Sequence, residues 1–273
     1  MTHFVCATCG TQFPASDAPP PACPICQDER QYVPVDGQKW TSLEELGKDH
    51  RNIVKEDVDL VGIGTEPSFA IGQRALLVPY GDSNLMWDCI TLLDDETAAE
   101  VERRGGLAGI AISHPHYYSA MVEWGQRFGC PIVLHAGDRR WVMRDDRAVD
   151  EWSAETMDLG HGLTLIRCGG HFAGGTVLHW ADGANGAGAL LSGDIVQVIP
   201  DRDHVSFMYS YPNLIPLPEH AIDRITAALD PDPFEQIYGA WWDRIVRRDG
   251  KEVVMRSADR YRRALRGDLM RAD

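Results

Sequence analysis

Two imidazoles one residue apart stand at the end of an apolar run. Leu107 to Ile112 reads as a strand, and Ser113-His114-Pro115-His116-Tyr117-Tyr118-Ser119 follows it directly. If that pair is to hold a cation, the rest of the fold has to be built around its loop, because two neighbouring imidazoles need a third donor from another segment to complete a site. Suitable donors occur downstream. His171 lies in Gly169-Gly170-His171-Phe172-Ala173-Gly174-Gly175-Thr176, a glycine-rich turn between the strand-like runs Leu163 to Cys168 and Thr176 to Trp180. Asp194 ends a further apolar strand, Ala189-Leu190-Leu191-Ser192-Gly193-Asp194.

Four segments therefore come in order: a strand pair around Arg74 to Asp88, then His114-Pro115-His116, then the His171 turn, then Ser192-Gly193-Asp194. In this order the chain resembles the metallo-β-lactamase superfamily from roughly residue 55 to the C-terminus, a length that suits one α/β hydrolase domain. The resemblance implies an α/β fold, a four-layer αββα sandwich, and a metal-dependent hydrolase. Residue by residue, His114, His116 and His171 match the ligands of the family's first metal site, and Asp194 matches the carboxylate that bridges the two metals.

The chain also departs from that pattern. The family's first motif reads His-x-His-x-Asp-His, whereas Tyr118 and Ser119 stand at its fifth and sixth positions here. The late glycine-rich turn that normally carries the last histidine is matched by Gln236-Ile237-Tyr238-Gly239-Ala240-Trp241-Trp242-Asp243, and no histidine follows His220. The implied second site thus lacks every donor except Asp194.

Three neutral imidazoles on a divalent ion leave a fourth position open for water, the arrangement of a catalytic site. Such an ion lowers the pKa of its water from about 15.7 to roughly 7, giving a hydroxide nucleophile at neutral pH. Asp194 is then either the fourth ligand or a general base for that water. Tyr118 either donates a hydrogen bond to a developing oxyanion or plugs the second site with its ring. His135 closes the run Pro131 to Leu134 and reads as a hydrogen-bonded strand-end residue, with a substitute ligand as the alternative.

A second signal lies at the N-terminus, where Cys6-x2-Cys9 and Cys23-x2-Cys26 are separated by thirteen residues. Four thiolates in two such knuckles make a closed tetrahedral site for zinc or mononuclear iron. The segment resembles a zinc ribbon or a rubredoxin-like module, and Gly10 and Pro24 supply the tight backbone that knuckles need. Structural zinc is the expectation, with iron as the alternative, because so short a segment cannot bury enough core to fold without a staple. The expected division is a four-cysteine module over 1–35 and a metallo-β-lactamase-like domain over 36–273.

The formal charge of −15 disfavours nucleic acid as a partner, whose phosphates would be repelled over most of the surface. No run approaches the roughly 18 apolar residues of a membrane span, and the N-terminus shows no basic-then-apolar signal pattern. Cys89, Cys130 and Cys168 are left over from the ribbon, an odd set that implies reduced thiols and a cytoplasmic location. The partner expected is a small-molecule substrate. Oligomeric state is not legible.

Helices are expected from Thr41 or Ser42, from Asp94 or Asp95 to Gly105, through Met121 to Gly129, from Pro218 along Ile222, Ile225 and Leu229, and over Lys251 to Leu265 with Val254, Tyr261 and Leu265 inward. Pro200 to Pro218 is too apolar for a plain loop and too proline-rich for a helix. It reads either as a lid over the site or as a rigid connector packed on the core. Tyr209 and Tyr211 within it, and Trp241 in place of the missing histidine, are candidate substrate contacts.

The functional expectation is a single divalent ion, zinc or iron, supporting attack on an ester, thioester or related carbonyl. The alternatives are a redox or sensing protein with an iron-loaded four-cysteine module, and a binding module that has lost catalysis.

Overall fold

The computed structural model describes residues 1–270. The chain forms two compact units that divide after Ser153. In the first, seven strands cross one sheet in strict sequence order: Arg51–Asp57, Leu60–Glu66, Ala75–Tyr80, Ser83–Trp87, Leu107–Ala111, Ile132–His135 and Val149–Trp152. The first four pair antiparallel, and the last three run parallel to Ser83–Trp87.

Parallel neighbours need a crossover. Two helices supply it, Asp95–Arg103 and Met121–Phe128. Asp94 caps the first by accepting from Thr97 N at 2.7 Å, the expected N-cap arrangement. Gly129, at φ +63°, ends the second with its N–H on Gly125 O, a left-handed cap that glycine adopts without strain. Trp124 is fully buried and donates its indole N–H to Ile90 O at 3.1 Å, which ties the second helix to the loop after Trp87. The histidine motif follows where the central parallel strand Leu107–Ala111 ends.

The four-cysteine segment belongs to this first unit and has a small sheet of its own, with Thr2–Cys6 between Gln12–Ser16 and Trp40–Thr41. Phe13 meets Trp40 edge-on at 5.1 Å across it. A short helix, Pro24–Gln27, starts on its proline and carries Cys26, since proline fits a first helical turn. Ser42, the expected cap, accepts from Glu45 N at 3.2 Å and opens the helix Leu43–Asp49.

In the second unit six strands form one sheet in the order Thr156–Gly160, Leu163–Arg167, Thr176–Trp180, Ala189–Gly193, Gln236–Gly239 and Ile245–Val246. All neighbours are antiparallel except Ala189–Gly193 with Gln236–Gly239. The helix Glu219–Leu229 packs Ile222, Ile225 and Leu229 with Val253, Val254 and Ala258 of the helix Gly250–Leu265 into one apolar core.

That core also takes Val205, Phe207 and Leu217. The stretch from Pro200 to Pro218 is therefore anchored on the core at these three residues, while Pro200 to Asp203 and the tip of the hairpin Met208–Ser210 with Ile215–Pro216, at Leu214, are exposed. Leu265, expected on the inner face of the last helix, is 40% exposed, because the final turn runs past the core. No helix among the described residues is long and apolar enough to cross a membrane.

Candidate metal centres

Within the first unit, four metal-ligating side chains converge. Cys6, Cys9, Cys23 and Cys26 bring their sulfurs within 4.8 Å of one another, and all four are buried. Sulfurs about 2.3 Å from one ion at tetrahedral angles stand about 3.8 Å apart. The Cys6–Cys26 and Cys9–Cys23 sulfurs are 3.5 and 3.6 Å apart, so the cage has the size such an ion needs. Gln38 Nε2 donates to Cys6 Sγ at 3.1 Å, and Cys9 N points at the same sulfur at 3.5 Å. Hydrogen bonding from the Cys23 thiol, with Cys26 and Cys9, holds Cys6 well below the ordinary thiol range. The same cluster of bonds, Cys23 first, pushes Cys9 and Cys26 up. Only a cation lets four thiolates share so small a space.

The other candidate donors, the four residues that the sequence nominated, are divided between the units, His114 and His116 in the first and His171 and Asp194 in the second, and all four are buried.

Their orientation is set by neighbours. His114, in extended conformation, is followed by the 3-10 turn Pro115–Tyr117, which puts the His116 ring 5.2 Å from the His114 ring. Ser113 Oγ lies 2.8 Å from His114 Nδ1 and engages that nitrogen, which leaves Nε2 for a metal. His171 is held more tightly. Its Nδ1 faces the carbonyls of Tyr209 at 2.8 Å and Met208 at 3.2 Å. Carbonyls only accept, so Nδ1 carries the proton and Nε2 the lone pair, the arrangement in which a ligating histidine is normally fixed.

Gly175 closes the His171 turn where a Cβ would stand 2.7 Å from Ile195 Cδ1 and 2.8 Å from Gly169 O, so the turn has no room for a larger residue. Asp194 follows Gly193 at φ +51°. Its backbone carbonyl accepts from Tyr211 Oη at 3.0 Å.

Several of these supports escape a reading of the sequence. Asp88, just after Ser83–Trp87 and at φ +59°, accepts from Ser113 N at 2.8 Å and so fixes the start of the histidine loop. Burial pushes its carboxyl up to about 7. The only sequence signal is an acidic residue at the end of an apolar strand. The carbonyls of Met208 and Tyr209 carry no side-chain signal at all.

Tyr211, a candidate substrate contact in the sequence, has its hydroxyl taken by the carbonyls of Asp194 and Ser206, at 3.0 and 3.3 Å, and its ring lies 5.7 Å from His171. The strand Met208–Ser210 and Tyr211 thus steady both downstream donors. Tyr211→Phe keeps the ring and deletes those bonds. It should lower metal affinity about 10-fold, the scale of losing an outer-shell partner, while costing about 1 kcal/mol of stability. A competition titration against a chelator reads the first effect, and unchanged affinity would limit the hydroxyl to holding the hairpin.

Tyr118 is buried beside Thr11, Gln12 and Ser119. Burial first, then the Asp138 and Glu151 carboxylates, push its phenol well above the ordinary range, so it stays a neutral donor. Tyr209 contributes its carbonyl to His171, as described. Trp241 lines a cleft of about 430 Å³ with Gln197, Val198, Ile199, Pro200 and Arg244. His135 is a strand-end residue: Nδ1 accepts from Gly137 N at 3.0 Å, and the ring packs edge-on against Trp152 at 4.7 Å.

No protein-family model matches the chain. Solved structures similar to it include the metallo-β-lactamase DIM-1, at a TM-score of 0.58 and 9% identity over 78% of this chain and 98% of that one. The metallo-β-lactamase FIM-1 from Pseudomonas aeruginosa, in its mono-zinc form, matches at 0.54 and 14% identity over 77% and 95%. VMB-1 matches at 0.59 and 14% identity over 79% and 98%. The chain has the metallo-β-lactamase fold. It is also 47% identical over 272 residues, 98% of its length and 99% of the relative's, to the uncharacterized protein YmaE of Bacillus subtilis (strain 168). It belongs to the family of YmaE.

Proposed function

We propose that the chain is a metal-dependent hydrolase acting on an ester, thioester or related carbonyl compound at a single-metal site of His114, His116, His171 and Asp194. What supports this reading is the burial of all four donors, His114 and His116 in the first unit and His171 and Asp194 in the second, with His171 locked in the tautomer that offers Nε2. A divalent cation, zinc or iron, supplies Lewis acidity and lowers the pKa of water to about 7 when bound there.

The chain's own residues do the rest. His171 is oriented by two carbonyls and His114 by Ser113, so little reorganisation is needed on loading. Asp194 either completes the ligand set or accepts the proton of the attacking water. Tyr118, whose phenol burial holds above its ordinary range, is proposed as the oxyanion donor. A phosphodiester is a poorer substrate class, since its hydrolysis usually draws on two ions clamping the attacking and leaving oxygens. The four-cysteine cluster is a structural zinc site in this reading, and the leftover thiols of Cys89, Cys130 and Cys168 fit the cytoplasm.

The test is hydrolysis of a panel of aryl esters, thioesters and lactones by the full chain, with His171→Ala in parallel. Turnover of at least one class by the parent and none by the variant is the expected outcome. Equal rates in the two proteins would sink the assignment.

A further inference from the structure

The histidine loop is pinned at both ends, and one of the pins belongs to the first cysteine knuckle. Ser113 N is held by Asp88 at its start. At its end Ser119, at φ +46°, accepts the backbone N–H of Gln12 on its carbonyl at 3.0 Å. Gln73 Nε2 donates to Ser119 Oγ at 3.1 Å, and that hydroxyl reaches Cys89 O at 3.3 Å. Gln12 is separated from Cys9 by Gly10 and Thr11 alone, and Thr11 Oγ1 lies 3.4 Å from Cys9 Sγ.

A second tie runs alongside. Thr91 Oγ1 donates to Gly10 O at 3.0 Å. Gly10, at φ +79°, sits so close that a Cβ would stand 2.4 Å from Thr91 Oγ1. The space among Thr11, Gln12, Tyr118, Ser119 and Arg144 is only about 10 Å³, room for one water at most. The Gln12 side chain is held in turn by Glu123 and Arg144. Tyr118 and Ser119 are the two positions at which the family pattern expects donors to a second metal. Here the knuckle packs against them.

We propose that the ion of the four-cysteine cluster is a positioning element for His114 and His116. It ties two chain segments into a rigid knuckle, the stretch Cys9–Gln12 braces Ser119 and Thr91, and the two metal sites therefore bind their ions cooperatively. This rests on the reading of His114, His116, His171 and Asp194 as metal ligands. Coupling of this kind is reciprocal, so each ion favours the other by the same factor. Thr91, Gly10 and Gln12 are positioning residues, since they reach the histidines only through the loop.

The probe is cobalt(II), titrated into the full chain with its four-cysteine cluster left filled and the other site stripped. Binding is read from the visible bands of nitrogen- and oxygen-ligated cobalt, which thiolate ligation does not share. Thr91→Val deletes the bond to Gly10 O and keeps the side chain's shape. It should weaken cobalt binding about 10-fold, the scale of an outer-shell loss, and Thr91→Ser should restore it. Cys23→Ser, lacking the cluster ion, should weaken it by about 10- to 100-fold.

Thr91→Val keeps the cluster intact, so the test does not depend on Cys23→Ser folding. Equal affinity in Thr91→Val and the parent, or a loss that Thr91→Ser fails to restore, overturns the coupling and leaves the ligand assignment standing. A parent that binds no more cobalt than His116→Ala overturns both.

Discussion

The full chain should purify with about two metal ions per molecule, and His116→Ala with about one, as measured by elemental analysis on folded, gel-filtered samples. The loss should fall on the histidine site, because the four-cysteine cage is built from different segments. His116→Ala removes one of the four donors of the proposed site, and three donors hold an ion more weakly than four. Any metal-dependent turnover should fall with it by about 10³-fold, equivalent to about 4 kcal/mol of transition-state stabilisation. Two ions retained in His116→Ala would place the second ion elsewhere and refute the four-residue site.

Cys23→Ser should lower the melting temperature by about 10 °C or more, read by circular dichroism at matched concentrations. The reasoning starts from the size of the segment. Its sheet has three short strands, one of them only Trp40–Thr41, with a single four-residue helix. Burial on that scale cannot offset the entropy of ordering the chain. An ion in the cage would supply the difference, and an incomplete cage would leave three buried thiols without it. A loss of about 3–5 kcal/mol corresponds to that shift for a protein of this length. A strong chelator at raised temperature should reproduce the melt of the variant. If zinc fills the cage the protein is colourless, whereas ferric thiolate would colour it. A Cys23→Ser protein that melts with the parent would show that the ribbon folds on its packing alone.

Much of this architecture is legible in the chain, and the reason is local. The strand-end position of His114-Pro115-His116 shows in the apolar run before it, and the helix caps at Ser42, Asp94 and Gly129 show in single residues whose chemistry is short-range. The four cysteines of the N-terminal cluster are readable because ligand chemistry restricts residue type. What escapes is mostly long-range or main-chain. Asp88 meets Ser113 across 25 residues, Thr91 meets Gly10 across 81, and the partners of His171 are carbonyls, which every residue has. Tyr211 illustrates the same limit: an aromatic near a site reads as a substrate contact until its hydroxyl is seen on backbone oxygens. Leu265 fits the helical period but lies beyond the reach of the core that the period assumes.

The strict sequence order of the seven-stranded sheet bears on how the chain is made. Each strand pairs with the one emerging just before it, so a chain leaving the ribosome N-terminus first meets every partner as it appears, and no pairing in that sheet waits for residues beyond Trp152. The ribbon is the exception. Synthesised before that sheet, it finds its seat only when Thr91 and Ser119 arrive, and until then its four cysteines and its own small sheet are all it has to keep its shape.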